Sequence, residues 1–234
     1  MKVIHIWDLP LRLFHWLLAV AFVVAYVTAK FGGALMDWHG RIGIFVLGLL
    51  IFRVVWGFVG STHARFSTFF PTFSRLLAYL KGRWQGVGHN PVGGLSVFAL
   101  LTALVVQVST GLFANDDIAF QGPLFDYVDK SLSDQLTGWH SRLFNGLLAL
   151  VILHVLAIFF YRWVKKTNLL VPMLTGKKQV PKTLAEALLH THKPRVGTIR
   201  FVLSVVISCT VVWGVSGGIA KLYPIQSPQQ TAQA

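Results

Sequence analysis

The chain reads as an all-α integral membrane protein, a four-helix transmembrane bundle with a fifth, C-terminal transmembrane helix. Three observations predict it. Hydrophobic residues make up 54% of the 234 and charged residues only 12%, about half the charge of a soluble domain. Apolar runs of about 20 residues, the length of a helix crossing a bilayer, recur five times, over 13–29, 42–60, 95–114, 143–161 and 201–220. Lys and Arg are sorted between alternate connections: sixteen of the 21 precede the first run or lie in 53–83 and 162–200. The opposite connections hold Asp37, Asp116, Asp117, Asp126, Asp129 and Asp134. That asymmetry predicts a cytoplasmic N-terminus and, after five spans, an external C-terminus. The net charge of +13 is thereby a topology signal with membrane lipid as the partner, not a nucleic-acid footprint.

The elements follow in order. Residues 1–12 form an amphipathic lead-in, with Asp8 placed before Pro10 to cap the first helix. The first run ends in small residues, Val27 and Ala29, as a cleaved signal peptide would. Its aromatic content, its His15 and the similar runs that follow favour an uncleaved first span. Residues 61–91 form a cytoplasmic connection, in which Pro71 opens a surface helix, "TFSRLLAYLKGRW", with apolar and basic faces. Residues 115–138 read as an acidic external loop, and 162–200 as a basic cytoplasmic segment in which "EALLHTHKPR" suits a second interfacial helix. The tail, 221–234, reads as disordered. Four regions result: a bundle over 1–178, a basic segment over 179–200, the extra helix over 201–220, and the tail. The single cysteine, Cys209, excludes an internal disulfide, a covalent c-type haem site and an iron–sulfur cluster held by this chain alone.

Nine histidines are present, and four lie in or at the edge of spans: His15, His39, His140 and His154. Ionisable groups inside a membrane are costly and tend to be functional. His140 and His154 are 14 residues apart in one run. On a helix that is a rise of about 21 Å and a turn of about 1400°, within about 40° of the starting face. They point the same way at two depths. With spans alternating in direction, His15 shares the inner depth with His154, and His39 the outer depth with His140. Two imidazoles can ligate one haem iron from opposite sides, and haems at two depths form an electron path across the membrane. Gly40 and Gly43 supply small residues where a porphyrin would approach a helix, and Arg12, Arg53 and Arg142 are placed to neutralise propionates; topology anchoring or snorkelling suits the two inner arginines better. A zinc or iron site using two or three of these histidines is the rival, although the pair in span 4 is too far apart to share one ion.

The chain resembles the bacterial cytochrome b561 and nickel–iron hydrogenase b-type cytochrome subunit family. The resemblance runs through "VIHIWDLPLRLFHWLLA", "WHGRIGIFVLGLLIFRVVWGFVGSTHARF", "GHNPVGGL", "TGLFANDDIAFQGPL" and "TGWHSRLFNGLLALVILHVLAIFFYRWVKKTNLLVPMLTGKK", about residues 1–178. It implies a four-helix bundle carrying b-type haems, two haem b here, and passing electrons between quinone and other redox partners; with the five spans above, the expected place is the bacterial inner membrane with a periplasmic C-terminus. The family's ligands match His15 in "LFHW", His39 in "WHGRIG", and His140 and His154 in "WHSRLFNGLLALVILH". It also implies that His63 and His89 border the cytoplasmic haem edge. The chain departs from the family pattern after residue 178, where the extra helix would dock a partner or complete a homodimer.

The function expected is a di-haem b-type electron carrier between the quinone pool and a c-type cytochrome or hydrogenase-like subunit. Gln107, Ser109 and Thr110 in span 3 are polar groups that suit a quinone or, as readily, helix–helix hydrogen bonds. Two alternatives stand beside it: a free-standing oxidase of a small molecule such as superoxide that reduces quinone, and a metal-binding transporter. No catalytic residue and no nucleotide loop, nucleophile elbow or carboxylate pair is expected.

Overall fold

The structure, a computed structural model, describes residues 1–84, 86–188 and 197–218. Among the described residues five helices are long and apolar enough to cross a membrane: α1 (Leu9–Phe31), α2 (Met36–Val59, continued backwards by a 3₁₀ turn from Gly33), α5 (Pro91–Gly111), α6 (Lys130–Trp163) and α9 (Thr198–Trp213, extended by a π turn to Gly218). Shorter helices connect them: α3 (Phe66–Phe69), α4 (Phe73–Leu80), α7 (Leu170–Thr175) and α8 (Lys182–Leu188). The protein is an α-helical integral membrane protein, as its apolar runs required. The exposed Val20, Val23, Ile152, Leu153 and Leu203 are what a lipid solvent asks of such helices.

Asp8 starts α1 as expected: its Oδ1 accepts the Leu11 amide at 2.8 Å, and its Oδ2 accepts Trp56 Nε1–H at 2.9 Å. Thr72, one residue after Pro71, caps α4 by accepting the Arg75 amide.

Two features differ from the expectations. The amphipathic lead-in opens with a strand. Lys2–His5 forms β1, paired antiparallel with β2 (Lys177–Val180), Lys2 opposite Val180 and His5 opposite Lys177. Ile6, Val87, Val180 and Ala185 close a small core beneath this ribbon. The second difference is the start of α6, which lies 13 residues before the apolar run does. Asp129 Oδ1 accepts the Leu132 amide at 2.9 Å, and Lys130 pairs with Asp134 one turn on, so polar turns continue the helix beyond the apolar stretch. The stretch "EALLHTHKPR" begins within α8, but its last seven residues lie outside the described residues, as does the 221–234 tail.

The chain divides into two compact units. One comprises Met1–Trp16, Arg53–Leu100 and Leu150–Ser204; the other comprises Leu17–Phe52, Leu101–Ala149 and the remainder from Val205.

Candidate functional site

In the first unit, α1 carries His15 and α6 carries His154. Their ring centroids are 6.4 Å apart with planes at 50°. Both side chains are half-buried, and Trp16 stands edge-on to His15 at 5.1 Å. In the second unit, His39 of α2 and His140 of α6 lie 6.1 Å apart with planes at 88°. The four histidines selected by depth therefore meet as the two pairs that depth implied.

Two imidazoles bonded to one metal from opposite sides, with metal–nitrogen bonds of about 2.0 Å, have centroids about 6 Å apart. Rotation about those bonds leaves the interplanar angle free. The same spacing also suits two packed aromatic rings, so the nitrogens carry the distinction. His39 Nδ1 donates to the Ala25 carbonyl at 2.9 Å, and His140 Nδ1 donates to the Gln107 carbonyl at 2.8 Å. A carbonyl only accepts, so each Nδ1 bears the proton and each Nε2 keeps a lone pair for a metal. His15 Nδ1 is buried with no hydrogen-bond partner among the described residues.

The same unit holds several buried donors. Arg53 is only 2% exposed, with its guanidinium 4.5 Å over the Phe66 ring. One of its terminal nitrogens, Arg12 Nε and His89 Nδ1 also lack hydrogen-bond partners among the described residues. Asp8 lies in the same unit, where its two oxygens each accept one hydrogen bond, from the Leu11 amide and from Trp56. A buried guanidinium with open donors favours a further anion, and porphyrin carboxylates supply that chemistry. Arg12 also ties α1 to α7. One of its terminal nitrogens donates to the Leu174 carbonyl, near the end of α7, where Gly176 turns left-handed at φ 78°. Arg142 is exposed, and no contact singles it out.

Around the second pair, Gly111 of α5 faces the His140 ring. Gly43 has no described atom within 4 Å of where a Cβ would stand, which leaves room beside α2. Gly40 does not fit the role expected of it. Phe120 lies on it, with Cε2 2.7 Å from a would-be Cβ, because Asp116 Oδ1 accepts the amides of Ile118, Ala119 and Phe120 and so curls that loop.

The polar groups of span 3 are partly engaged, and Gln107 Oε1 is buried with no hydrogen-bond partner among the described residues. Gln107 Nε2 donates to the His140 carbonyl at 2.9 Å, Thr110 Oγ1 bonds back to the Val106 and Gln107 carbonyls, and Ser109 is exposed. They serve helix contacts and the setting of His140. Among the described residues no three of His, Cys, Asp and Glu gather as an ion cage. Sequence reasoning missed Gly111 and the Gln107 carbonyl, since nothing in a linear sequence says which turn of α5 will face His140.

Residues 6–176 match the family model described as prokaryotic cytochrome b561. This chain belongs to the prokaryotic cytochrome b561 family. It is a b-type cytochrome, a multi-pass membrane protein whose business is electron transfer. Curated relatives named "Probable Ni/Fe-hydrogenase B-type cytochrome subunit" are similar to this cytochrome. The one from Azotobacter vinelandii is 31% identical over 61% of this chain and 68% of its own length. That from Cupriavidus necator is 28% identical over 67% and 79%, and that from Bradyrhizobium diazoefficiens 23% over 75% and 86%. No solved structure matches the cytochrome.

Proposed function

We propose that this cytochrome carries two haem b, one held by His15 and His154 and one by His39 and His140, and moves electrons between the quinone pool and a redox partner. The observation that carries the reading is the pairing of four intramembrane histidines into two sets at 6.4 and 6.1 Å. Each haem, when bound, supplies a one-electron ferric–ferrous couple.

The chain's own residues do the rest. Each haem iron would be held by two ring nitrogens of this chain, His15 with His154 and His39 with His140, which favours electron transfer over dioxygen binding. The Ala25 and Gln107 carbonyls fix the tautomers of His39 and His140. Arg53 and Arg12 neutralise carboxylates at the inner pair, and Arg142 serves the outer one. Apolar helix packing keeps water from the rings.

The Lys and Arg bias supports an inner-membrane protein with its N-terminus in the cytoplasm and its C-terminus in the periplasm. The relatives' names favour a hydrogenase-like complex over a c-type cytochrome as the partner. The fifth helix, α9, is free to meet that partner or a second copy. The four-helix region over 1–178 is the haem-bearing part, and 179–200 and 201–220 are additions to it.

The test is haem per chain and the reduced-minus-oxidised spectrum of purified protein, repeated with each ligand replaced by Ala. Two haems per chain are expected. His15→Ala and His154→Ala should remove the same spectral component, and His39→Ala and His140→Ala the other. Full haem in all four variants would overturn the assignment.

A further inference from the structure

His39 and His140 are held alike. Each Nδ1–H donates to a helix carbonyl, that of Ala25 at 2.9 Å and that of Gln107 at 2.8 Å. Each carbonyl also accepts the hydroxyl of a threonine three residues on, Thr28 at 3.0 Å and Thr110 at 2.9 Å, and both threonines are buried. His15 has no such support: its Nδ1 is buried without a hydrogen-bond partner among the described residues.

His140 is gripped at a second point. Gln107 takes the imidazole on its main-chain carbonyl and gives its side-chain Nε2 to the His140 carbonyl at 2.9 Å. The two bonds fix α5 against α6 at the level of the ring. The other end of the same amide, Oε1, is buried and has no partner among the described residues, in a residue only 8% exposed. An unpaired carbonyl oxygen in an apolar interior is costly, and helix contact alone needs only Nε2.

Resting on the two-haem reading above, we propose that Gln107 is a positioning residue that lowers the redox potential of the iron held by His39 and His140 below that of the iron held by His15 and His154.

Three effects act in one direction. First, a carbonyl on Nδ1–H makes Nε2 the stronger electron donor to a metal. A stronger donor favours ferric over ferrous iron. Both ligands of the outer pair carry such a carbonyl. Second, the bond from Gln107 Nε2 keeps the carbonyl–imidazole bond short. The ring is seated against Gly111, so a slip of α5 would move seat and acceptor together. Third, Oε1 is the negative end of a fixed dipole beside His140, which favours the extra positive charge of the ferric state. In the unit of the inner pair the buried charge has the opposite sign. Arg53 is a cation only 2% exposed, and it favours the added electron. Each iron exchanges one electron, and the proton stays on His140 Nδ1 in both oxidation states.

The experiment is a redox titration of the detergent-solubilised full-length protein, followed by haem absorbance. Wild type is compared with His15→Ala, His39→Ala, Gln107→Met, Gln107→Asn and Val105→Ala. The component that survives in His15→Ala belongs to His39 and His140, and in the wild type it should have the lower midpoint. Gln107→Met keeps the length of the side chain without its amide. It should raise the ferrous-to-ferric ratio of that component, read at the wild-type midpoint, by roughly threefold or more, the worth of one net hydrogen bond. The other component should stay where it was. Gln107→Asn keeps an amide and should fall between. Val105→Ala, on an exposed face of α5, should move neither.

An equal or higher wild-type midpoint for that component, no shift in Gln107→Met, or the same shift in both components would each overturn the role of Gln107. If Gln107→Met loses the haem, the near-infrared charge-transfer band of the ferric single-haem variants decides. It should lie at higher energy in His15→Ala than in His39→Ala, and coincident or reversed bands would overturn the inference. A wild type with fewer than two components would sink the two-haem reading itself, whereas two components in the wrong order sink only the part given to Gln107.

Discussion

A Cβ built on Gly111 would stand 2.8 Å from Cε1 and 3.0 Å from Nδ1 of His140. The imidazole has no slack there, because its Nδ1 is tied to the Gln107 carbonyl and its backbone carbonyl to the Gln107 amide. Gly111→Ala should therefore turn the ring away from its partner His39. The expected outcome is loss of about half of the haem absorbance and of the spectral component shared with His39→Ala. Gly138→Ala, where a Cβ meets no described atom within 4 Å, is the matched control and should leave both components intact.

Asp8 joins the start of α1 to the buried Trp56. Asp8→Ala removes a helix cap worth about 1 kcal/mol and leaves the Trp56 N–H unsatisfied at a cost of about 1–3 kcal/mol. The thermal midpoint of the purified protein, followed by haem absorbance in detergent, should fall by several degrees. Asp8→Asn retains an acceptor oxygen and should recover part of the loss.

Arg53 tests the electrostatics of the inner pair. Removing a buried cation disfavours the added electron. At an effective dielectric of about 20, a charge several ångströms away is worth on the order of 2 kcal/mol. Arg53→Gln should lower the midpoint potential of the component shared by His15→Ala and His154→Ala, by on the order of 50–100 mV. Arg53→Lys should fall between. A redox titration checks this, and an unmoved second component is the internal control.

The loop over Gly40 has a pH dependence of known sign. Three backbone amides, from Ile118, Ala119 and Phe120, hold the Asp116 carboxyl below its ordinary value. A depressed carboxyl contributes its stabilisation above the unfolded value and loses it as pH falls through the folded one. Amide exchange at Ile118, Ala119 and Phe120 should stay slow through the ordinary carboxylate range and quicken only below it. Asp116→Ala should abolish the protection at every pH and free Phe120 from Gly40.

The amino-acid sequence alone determined which segments cross the membrane, because a bilayer accepts only long apolar helices and sorts Lys and Arg between its sides. It also singled out His15, His39, His140 and His154, since these four lie in or at the edge of spans, and a 14-residue step returns His154 to nearly the same helix face as His140. It did not determine β1 and β2, the early start of α6 or the cover that Phe120 lays on Gly40. Those depend on pairings between residues far apart in the chain or on short polar caps, and neither leaves a periodic trace. Only the tertiary structure decided that Gly111 is the residue against His140, that Gln107 Nε2 and Thr110 Oγ1 are bonded, and that His89 keeps an open nitrogen. Each is a question of which side chain faces which across two helices or a loop, and that is settled by packing rather than by the order of residues.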